Sequence, residues 1–304
     1  VIMDPDTGAI LGMCAFPDFD PARVRDIPSL GVLNNPAIFY QYEPGSVFKA
    51  VTVSAGIETG KINPMSTYVD TGLELIDGFP IRNSDLKAHG TQTMTQVLTK
   101  SLNTGTIHIQ RLLGQQLFED FVVRFGFGEP TGVELNKEVR GDISQLSRKG
   151  KVFGATGSYG QGLSVTPLQM VSAYATIGNG GKFMKPYIIQ EIIRPDGTKV
   201  ATKPQVVREV ISSRTSRLVT GMLVDVVENG HGKRAGVDGY YVAGKTGTAQ
   251  VPKPNGKGYL DNSITIGSFA GYAPADHPKF AMFVKVDRPR TVQFAESSAA
   301  PIFG

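Results

Sequence analysis

Cysteine, tryptophan and histidine are scarce in this sequence. Among 304 residues there are one cysteine, no tryptophan and four histidines, which are His89, His108, His231 and His277. A single cysteine, Cys14, excludes an intrachain disulfide and any metal site built from several thiolates. The histidines are scattered and lack the spacing of metal ligands. The composition therefore predicts no metal site, and it leaves the redox compartment open.

Strong net charge and long apolar runs are also absent. The formal charge of +4 is too small to indicate a nucleic-acid partner, and it permits only a weak preference for ligands that carry carboxylates. No apolar run reaches about 18 residues, and no secretory signal peptide is present. The chain opens on an apolar run at Val1 and stops at 299–304 in what looks like the start of a helix. We therefore expect a fragment of a longer protein.

Strand-like segments lie at both ends of the chain. Two short apolar runs, 1–3 and 10–16, flank the turn signal Asp4–Gly8 and predict a hairpin, and segments 240–249, 264–272 and 280–286 predict an antiparallel meander. We expect the hairpin to complete the same sheet. The predicted fold class is α/β of the α+β type: a central antiparallel sheet from both chain ends, flanked by helices, with an inserted mainly helical lobe. In one domain, 1–304, the sheet region covers approximately 1–35 and 236–304, and the lobe covers approximately 36–235.

Helix signals dominate the middle of the chain. An apolar segment from Val47 to Ile57 predicts a buried helix that ends at Gly60. Residues 61–92 are polar and are expected to be irregular, and Thr93 then begins a capping box and a helix that runs to about Lys100. Ser101–Gly105 predicts a tight turn before the next helix. Further helices are expected at 116–124, from a second capping box at 166–169, and at 213–229.

A serine and a lysine stand three positions apart at the start of the buried helix. This spacing places Ser46 and Lys49 on one helical face, where free backbone N–H groups of the first turn favour a developing oxyanion. A lysine within reach of the hydroxyl can make a serine nucleophilic without a histidine. The same spacing recurs at Ser84 and Lys87, but no apolar helix follows, so we assign that pair to a surface loop. For Ser46 and Lys49 taken alone, an N-cap serine beside a solvated lysine is the simpler interpretation.

Two further motifs change this interpretation. Ser101-x-Asn103 is the only Ser-x-Asn in the chain, and Lys245-Thr246-Gly247 is the only Lys-[Ser/Thr]-Gly. Each motif alone has an ordinary interpretation. Ser101 and Asn103 could simply cap a helix end, and Lys245 could be an exposed lysine on a strand. Together with Ser46-x-x-Lys49 they follow the order found in active-site serine penicillin-recognising enzymes.

With these motifs, the chain resembles the penicillin-binding proteins, and specifically the transpeptidase domain of class B members. The likeness covers almost the whole chain, through Met3–Gly8, Tyr42–Ser46, Phe125–Gly128, 158–169 and Ala243–Gln250. Ser101-Leu102-Asn103 is similar to the division (septal) type, and class A members usually carry a Trp-Phe pair that this tryptophan-free chain lacks. One segment departs from the family: Val292-Gln293-Phe294-Ala295-Glu296 stands where the family has a Tyr/Gly-rich segment.

The resemblance implies roles for the motif residues. Ser46 would attack the D-Ala-D-Ala bond of a peptidoglycan stem peptide, and Lys49 would be the base, since burial and a neighbouring lysine both favour loss of its proton. Ser101 would relay that proton to the leaving amine, and Asn103 would hold Lys49 or the substrate amide. Lys245 would attract the terminal carboxylate.

The remaining implied positions bind the substrate. Thr246, Gly247 and Thr248 would contact the substrate, with the two hydroxyls on its terminal carboxylate, and the oxyanion would sit between the backbone N–H groups of Ser46 and Thr248. Stem peptides that donate D-Ala-D-Ala or accept through an amine, and β-lactam antibiotics, are the implied ligands, with no cofactor and no nucleic acid. The family also implies an upstream membrane anchor and pedestal outside this fragment, an extracytoplasmic catalytic domain, and divisome membrane proteins as partners.

Three alternatives remain open from the sequence. A D,D-carboxypeptidase or a serine β-lactamase uses the same motifs with water as the acceptor, and Glu134 and Glu138 are candidates for the acid that would activate this water. A β-lactam sensor domain would acylate without cross-linking stems. An inactive relative that serves as a scaffold would not be expected to keep all of the motif residues.

Overall fold

The two ends of the chain meet in one five-stranded antiparallel sheet. Three long C-terminal strands lie beside two short N-terminal strands, and the predicted hairpin forms with its second strand limited to Ile10–Gly12. The computed structural model describes residues 1–253, 258–261 and 263–304. The arrangement confirms the predicted fold class, in which both chain ends build the central sheet.

The strands are named in chain order. They are β1 (Ile2–Met3), β2 (Ile10–Gly12), β3 (Thr67–Asp70), β4 (Leu73–Ile76), β5 (Phe79–Arg82), β6 (Gly90–Thr93), β7 (Lys182–Met184), β8 (Glu191–Ile193), β9 (Lys199–Ala201), β10 (Val206–Glu209), β11 (Ala243–Gln250), β12 (Thr265–Ala273) and β13 (Phe280–Asp287). The central sheet has the order β11-β12-β13-β1-β2.

The α-helices are named in the same way. They are α1 (Pro36–Phe39), α2 (Lys49–Glu58), α3 (Met94–Thr99), α4 (Asn103–Leu113), α5 (Gln115–Arg124), α6 (Lys151–Gly157), α7 (Pro167–Gly178), α8 (Ser213–Asn229) and α9 (Ala300–Phe303). Short 3₁₀ turns occur at Pro21–Asp26, Leu30–Leu33, Gly45–Phe48, Ser144–Ser147, Lys233–Ala235 and Ala295–Ser297. Among the described residues, no helix is both long and apolar enough to cross a membrane.

The central sheet is covered on both faces. Helices α7 and α8 pack against β11, β12 and β13, and α9 with the turn Ala295–Ser297 also contacts β12. All nine residues of β12 are buried. A strand buried on both faces reads as a continuous run of small and apolar residues instead of an alternating one.

Helix α2 is the centre of the helical part. Every residue from Lys49 to Ile57 is buried, and the helix contacts α4, α5 and α8. The expected buried helix is thus confirmed, although its first turn, Gly45–Phe48, is a 3₁₀ helix. Both predicted capping boxes are present, with Thr93 and Thr166 each bonded reciprocally to the glutamine three positions later.

The expectation that residues 61–92 are irregular is wrong. Strands β3 and β6 pair, and β4 and β5 form a hairpin. The pattern is hidden in the sequence because inward positions include two polar residues, Asp70 and Gln92. Asp70 accepts a hydrogen bond from the Gly72 N–H, and Gln92 Nε2 donates one to the His89 carbonyl oxygen. Strands β7 to β10, at 182–209, also interrupt the stretch that was expected to be mainly helical.

Candidate active site

The turn that carries Ser46 is held by contacts from three directions. The Gly45 N–H donates to the Gly160 carbonyl oxygen at 2.9 Å, and the Tyr174 hydroxyl donates to the Val47 carbonyl oxygen at 2.8 Å. Strand β11 passes so close that a Cβ at Gly247 would lie 2.8 Å from the Pro44 carbonyl oxygen. These contacts leave the Ser46 side chain at the entrance of α2, partly exposed.

Gly160→Ala is expected to destabilise the protein much more than Gly78→Ala. Both glycines have φ near +85°, where alanine is strained by about 1–2 kcal/mol. A Cβ at Gly160 would also lie 2.2 Å from the Gly45 carbonyl oxygen, whereas a Cβ at Gly78 would meet no atom within 4 Å. We expect a loss of roughly 3 kcal/mol or more in unfolding free energy for Gly160→Ala. Denaturant unfolding of the two variants measures the difference, and equal losses would contradict the steric argument.

An open cleft of about 350 Å³ borders Ser46. Predicted site residues Ser46, Ser101, Thr246 and Thr248 line it. Six further residues complete the lining: Ser84, Asp85, Lys100, His231, Phe294 and Glu296. The structure therefore brings together residues from all three motifs, which lie far apart in the chain.

Lys49 lies fully buried behind the cleft wall. Its Nζ donates to the Ser101 carbonyl oxygen at 2.6 Å and to Ser101 Oγ at 3.2 Å. Burial lowers the pKa of Lys49 well below its usual range, and the positive charge of Lys245 lowers it further. Ser101 has a φ of 57°, a left-handed conformation that costs free energy in a non-glycine residue. The strained turn thus presents two acceptors to one buried amine.

Lys245 is also fully buried on β11. Its Nζ donates to the Thr246 carbonyl oxygen at 3.2 Å, and the side chain does not line the cleft. Burial lowers the pKa of Lys245 to about 7. Thr246 and Thr248 of this strand therefore line the cleft, while the lysine stays behind it.

Lys245→Met is expected to raise Tm, most strongly below pH 7. Because the folded pKa of about 7 lies below the usual lysine value of ~10.4, the unfolded chain binds more protons here, and the stability of the wild type rises as pH increases across that window. The variant should gain roughly 3–5 kcal/mol below pH 7 and less towards pH 10. The change also removes the positive charge that repels the proton on Lys49, and this loss of repulsion stabilises the folded protein further.

Calorimetric melting at about pH 6 and about pH 9.5 measures this trend. Lys203→Met, at an exposed lysine, is the matched control and should show no such pH-dependent gain. A gain of equal size at both pH values would show that burial of the Lys245 charge is not its cause.

The Asn103 amide bonds a backbone carbonyl oxygen at the end of β5. Its Nδ2 donates to the Arg82 carbonyl oxygen at 2.8 Å, and its backbone N–H donates to Asn83 Oδ1 at 2.9 Å. The expected bond to Lys49 is not among the contacts of the described residues. A role for Asn103 in holding the substrate amide stays a prediction.

A buried carboxylate that the sequence did not single out organises this region. Asp70, 1% exposed, accepts hydrogen bonds from Asn83 Nδ2, from the Thr104 hydroxyl and from the backbone N–H groups of Gly72 and His89. Asn83 Oδ1 in turn accepts from the start of α4. The network fixes the turn that holds Ser101 to the loop that follows β5. In the sequence, Asp70-x-Gly72 before β4 indicates a turn. It does not indicate that Asp70 bonds the distant residues Asn83 and Thr104.

Asp70→Asn is expected to lower Tm by roughly 5–10 °C. The new amide would face the Asn83 Nδ2 donor with a donor of its own, which leaves buried polar groups unpaired. Asp196→Asn is the matched control, because Asp196 also accepts from a backbone N–H two residues later but lies at the surface. A change of less than about 2 °C in both variants would mean that the network adds little stability.

The serine of the second serine–lysine pair borders the same cleft. Ser84 lies in an exposed loop, as predicted, and lines the cleft together with Asp85.

Thr248 is bonded to the segment at 292–296, since its Oγ1 accepts from the Ala295 N–H at 3.0 Å. The segment that departs from the family pattern is therefore attached to the strand that carries Thr248.

The penicillin binding protein transpeptidase domain family matches residues 1–304. The chain belongs to this family. It is 41% identical over 308 residues to stage V sporulation protein D of Bacillus subtilis. This alignment covers 100% of this chain and 47% of that protein. The chain is 32% identical over 305 residues to peptidoglycan D,D-transpeptidase FtsI of Escherichia coli. This second alignment covers 100% of this chain and 49% of the relative. The chain thus spans about half the length of these curated relatives.

A solved structure supports the same assignment. Penicillin binding protein 3 of Mycobacterium tuberculosis, complexed with aztreonam, superposes with a TM-score of 0.89 at 34% identity, over 99% of this chain and 69% of that chain. The resemblance to class B, division-type transpeptidase domains is confirmed. The fold that the motifs implied is confirmed with it.

Within the transpeptidase domain, the two glutamates considered for a hydrolytic reaction lie outside the cleft lining. Glu138 accepts from the Thr131 N–H at 2.7 Å and from the Gly132 N–H at 3.0 Å, and Glu134 accepts from the Ile188 N–H at 3.0 Å. Both carboxylates therefore accept hydrogen bonds from loop backbone N–H groups. Neither is placed to activate a water molecule beside Ser46.

Proposed function

We propose that this domain is a serine D,D-transpeptidase that cross-links peptidoglycan stem peptides through an acyl-enzyme on Ser46. One observation carries the proposal: the cleft that holds Ser46 is backed by a buried lysine, Lys49, with a lowered pKa and a direct bond to Ser101. An amine whose pKa is lowered in this way loses its own proton more readily and can then accept one, as a serine nucleophile requires. Relatives whose names state this activity support the proposal.

The proposed reaction has two halves. Ser46 Oγ attacks the carbonyl carbon of the D-Ala-D-Ala bond while Lys49 takes the hydroxyl proton, and this proton passes through Ser101 to the leaving D-Ala amine. The C–N bond breaks and an ester on Ser46 remains. The amine of a second stem then attacks this ester: a new C–N bond forms, the ester C–O bond breaks, and Ser46 Oγ regains a proton from the attacking nitrogen.

The substrate is held by groups that do not react. The Thr246 and Thr248 hydroxyls, with the partial charge of Lys245 behind them, suit the terminal carboxylate, and Gly247 lets the strand approach the Ser46 turn. Backbone N–H groups of Ser46 and Thr248 would bind the oxyanion, a contribution of about 3–4 kcal/mol per donor in comparable sites. The reaction needs no metal and no organic cofactor.

The relatives suggest the wider setting. Because the Mycobacterium tuberculosis structure is a complex with aztreonam, we expect β-lactams to acylate Ser46 and inhibit this domain. A septal role, a membrane-anchored protein with its catalytic domain on the extracytoplasmic face, and divisome membrane proteins as partners follow from the family. The single domain 1–304 would then be the catalytic part, outside the anchor and pedestal.

Intact-mass measurement after exposure to penicillin tests the proposal. A stable adduct that peptide mapping places on Ser46 is expected, and an unmodified Ser46 would remove the core of the proposal. Deacylation separates the alternatives, since a β-lactamase would release the adduct quickly. Transfer from a D-alanyl donor to an added amine separates a transpeptidase from a carboxypeptidase, which uses water, and from a sensor, which stays acylated.

A further inference from the structure

The segment that departs from the family pattern places an acid–histidine pair at the cleft. Glu296 lies in the turn Ala295–Ser297, and its Oε2 is 3.1 Å from His231 Nδ1, in the loop after α8. Both side chains line the cleft of Ser46 and are about half exposed. The pair therefore joins two walls of the cleft and stays open to an incoming molecule.

The position of Glu296 is fixed by its neighbours. The adjacent Ala295 is 1% exposed and donates its N–H to Thr248 Oγ1 at 3.0 Å. The Ser298 hydroxyl donates to the Phe294 carbonyl oxygen at 3.2 Å, and a Cβ at Gly267 would lie 2.3 Å from Ser298 Oγ. The turn thus packs tightly against the sheet, and the Glu296 carboxylate is presented beside the strand that carries the Thr246 and Thr248 hydroxyls.

Charge decides which group of a substrate can approach Glu296. The terminal carboxylate of a donor peptide would be repelled, whereas an ammonium ion would be attracted. The other cleft carboxylate, Asp85, already accepts from His89 Nε2 at 2.8 Å and from the Lys87 N–H at 3.1 Å. Within the described residues, Glu296 Oε1 accepts no hydrogen bond. Lys100, the remaining charged group of the lining, has the same sign as an ammonium ion.

We propose that Glu296 and His231 form the acceptor subsite of the cleft, which binds an acyl acceptor that arrives as a primary ammonium ion. This inference rests on the proposed transpeptidase function. Glu296 holds the ammonium, and a ring nitrogen of His231 takes one proton from it. The free amine attacks the ester carbonyl on Ser46, the C–N bond forms, the ester C–O bond breaks, and Ser46 recovers a proton from the attacking nitrogen through Lys49. His231 returns its proton to solvent.

A comparison of two matched acceptors tests this subsite. Purified domain is given a D-alanyl thioester donor with either D-alaninamide, which is an ammonium ion in water, or D-lactamide, its hydroxyl analogue. The ratio of transfer product to hydrolysis product is measured for the wild type, Glu296→Gln and His231→Gln. The control is Glu191→Gln, which removes an acid that pairs with Lys199 in the β8–β9 hairpin.

Both cleft variants should lower the transfer ratio for D-alaninamide by roughly tenfold or more, because they lose charge attraction or a base. The ratio for D-lactamide should stay within about twofold, as should every ratio of the control. Penicillin adduct formation and Tm confirm that each variant is folded and acylates.

Other results would overturn the inference. An equal fall for both acceptors would show that the pair only shapes the cleft, and an unchanged amine ratio would show that the acceptor binds elsewhere. Either result leaves the transpeptidase proposal intact. A wild type that forms no adduct on Ser46 would instead refute the proposed function, and the acceptor subsite would fall with it.

Discussion

Ser46→Ala is expected to abolish the covalent penicillin adduct and to lower acyl transfer by at least about 10⁴-fold, because the variant lacks the hydroxyl that attacks the carbonyl carbon. The reason lies in the geometry: the 3₁₀ turn before α2 presents this hydroxyl to the cleft, whose wall includes Ser101, and the buried Lys49 bonds Ser101 from behind. Fluorescent-penicillin labelling and intact-mass measurement report the loss.

Ser84→Ala is the matched control for this prediction. Ser84 has the same spacing to a lysine and borders the same cleft, but it lies in an exposed loop. Its variant should retain labelling. Persistent labelling of Ser46→Ala, or a loss in Ser84→Ala alone, would assign the nucleophile to another residue.

Lys49→Arg is expected to reduce acylation by roughly 10²–10⁴-fold while the protein stays folded. Arginine keeps the positive charge but does not give up its proton in proteins, so it cannot serve as a base. In the wild type, burial and Lys245 lower the pKa of Lys49, so acylation should rise with pH and level off below the usual lysine range. The variant should lack this rise.

Stopped-flow acylation between about pH 5 and about pH 10 measures both effects. Lys61→Arg, at an exposed lysine beyond the other end of α2, is the control and should keep the wild-type rate and pH profile. Tm separates loss of the base from loss of the fold. A Lys49→Arg protein that acylates at the wild-type rate would exclude Lys49 as the base.

The sequence alone determined the family, the three motifs and most helices. Ser46, Ser101 and Lys245 could be singled out because each motif is short and local, and its spacing follows directly from helix or turn geometry. The capping boxes at Thr93 and Thr166 could be predicted for the same reason, since both partners lie within four residues.

Contacts between distant segments could not be predicted in this way. Strands β3 to β6 escaped notice because their inward residues include Asp70, and a buried carboxylate is stable only with donors that other segments supply. The amide of Asn103 turned out to bond the Arg82 carbonyl oxygen, which no spacing rule connects to it.

Only the tertiary structure decided how charge is distributed around Ser46. Burial depends on all elements that pack around a side chain, so the lowered pKa of Lys49 and of Lys245 follows from the packed domain and not from their motifs. The pair of His231 and Glu296 joins residues 65 positions apart. In sequence Glu296 was merely a departure from the family pattern, and the fold placed it at the cleft because its turn packs against the strand of Thr248.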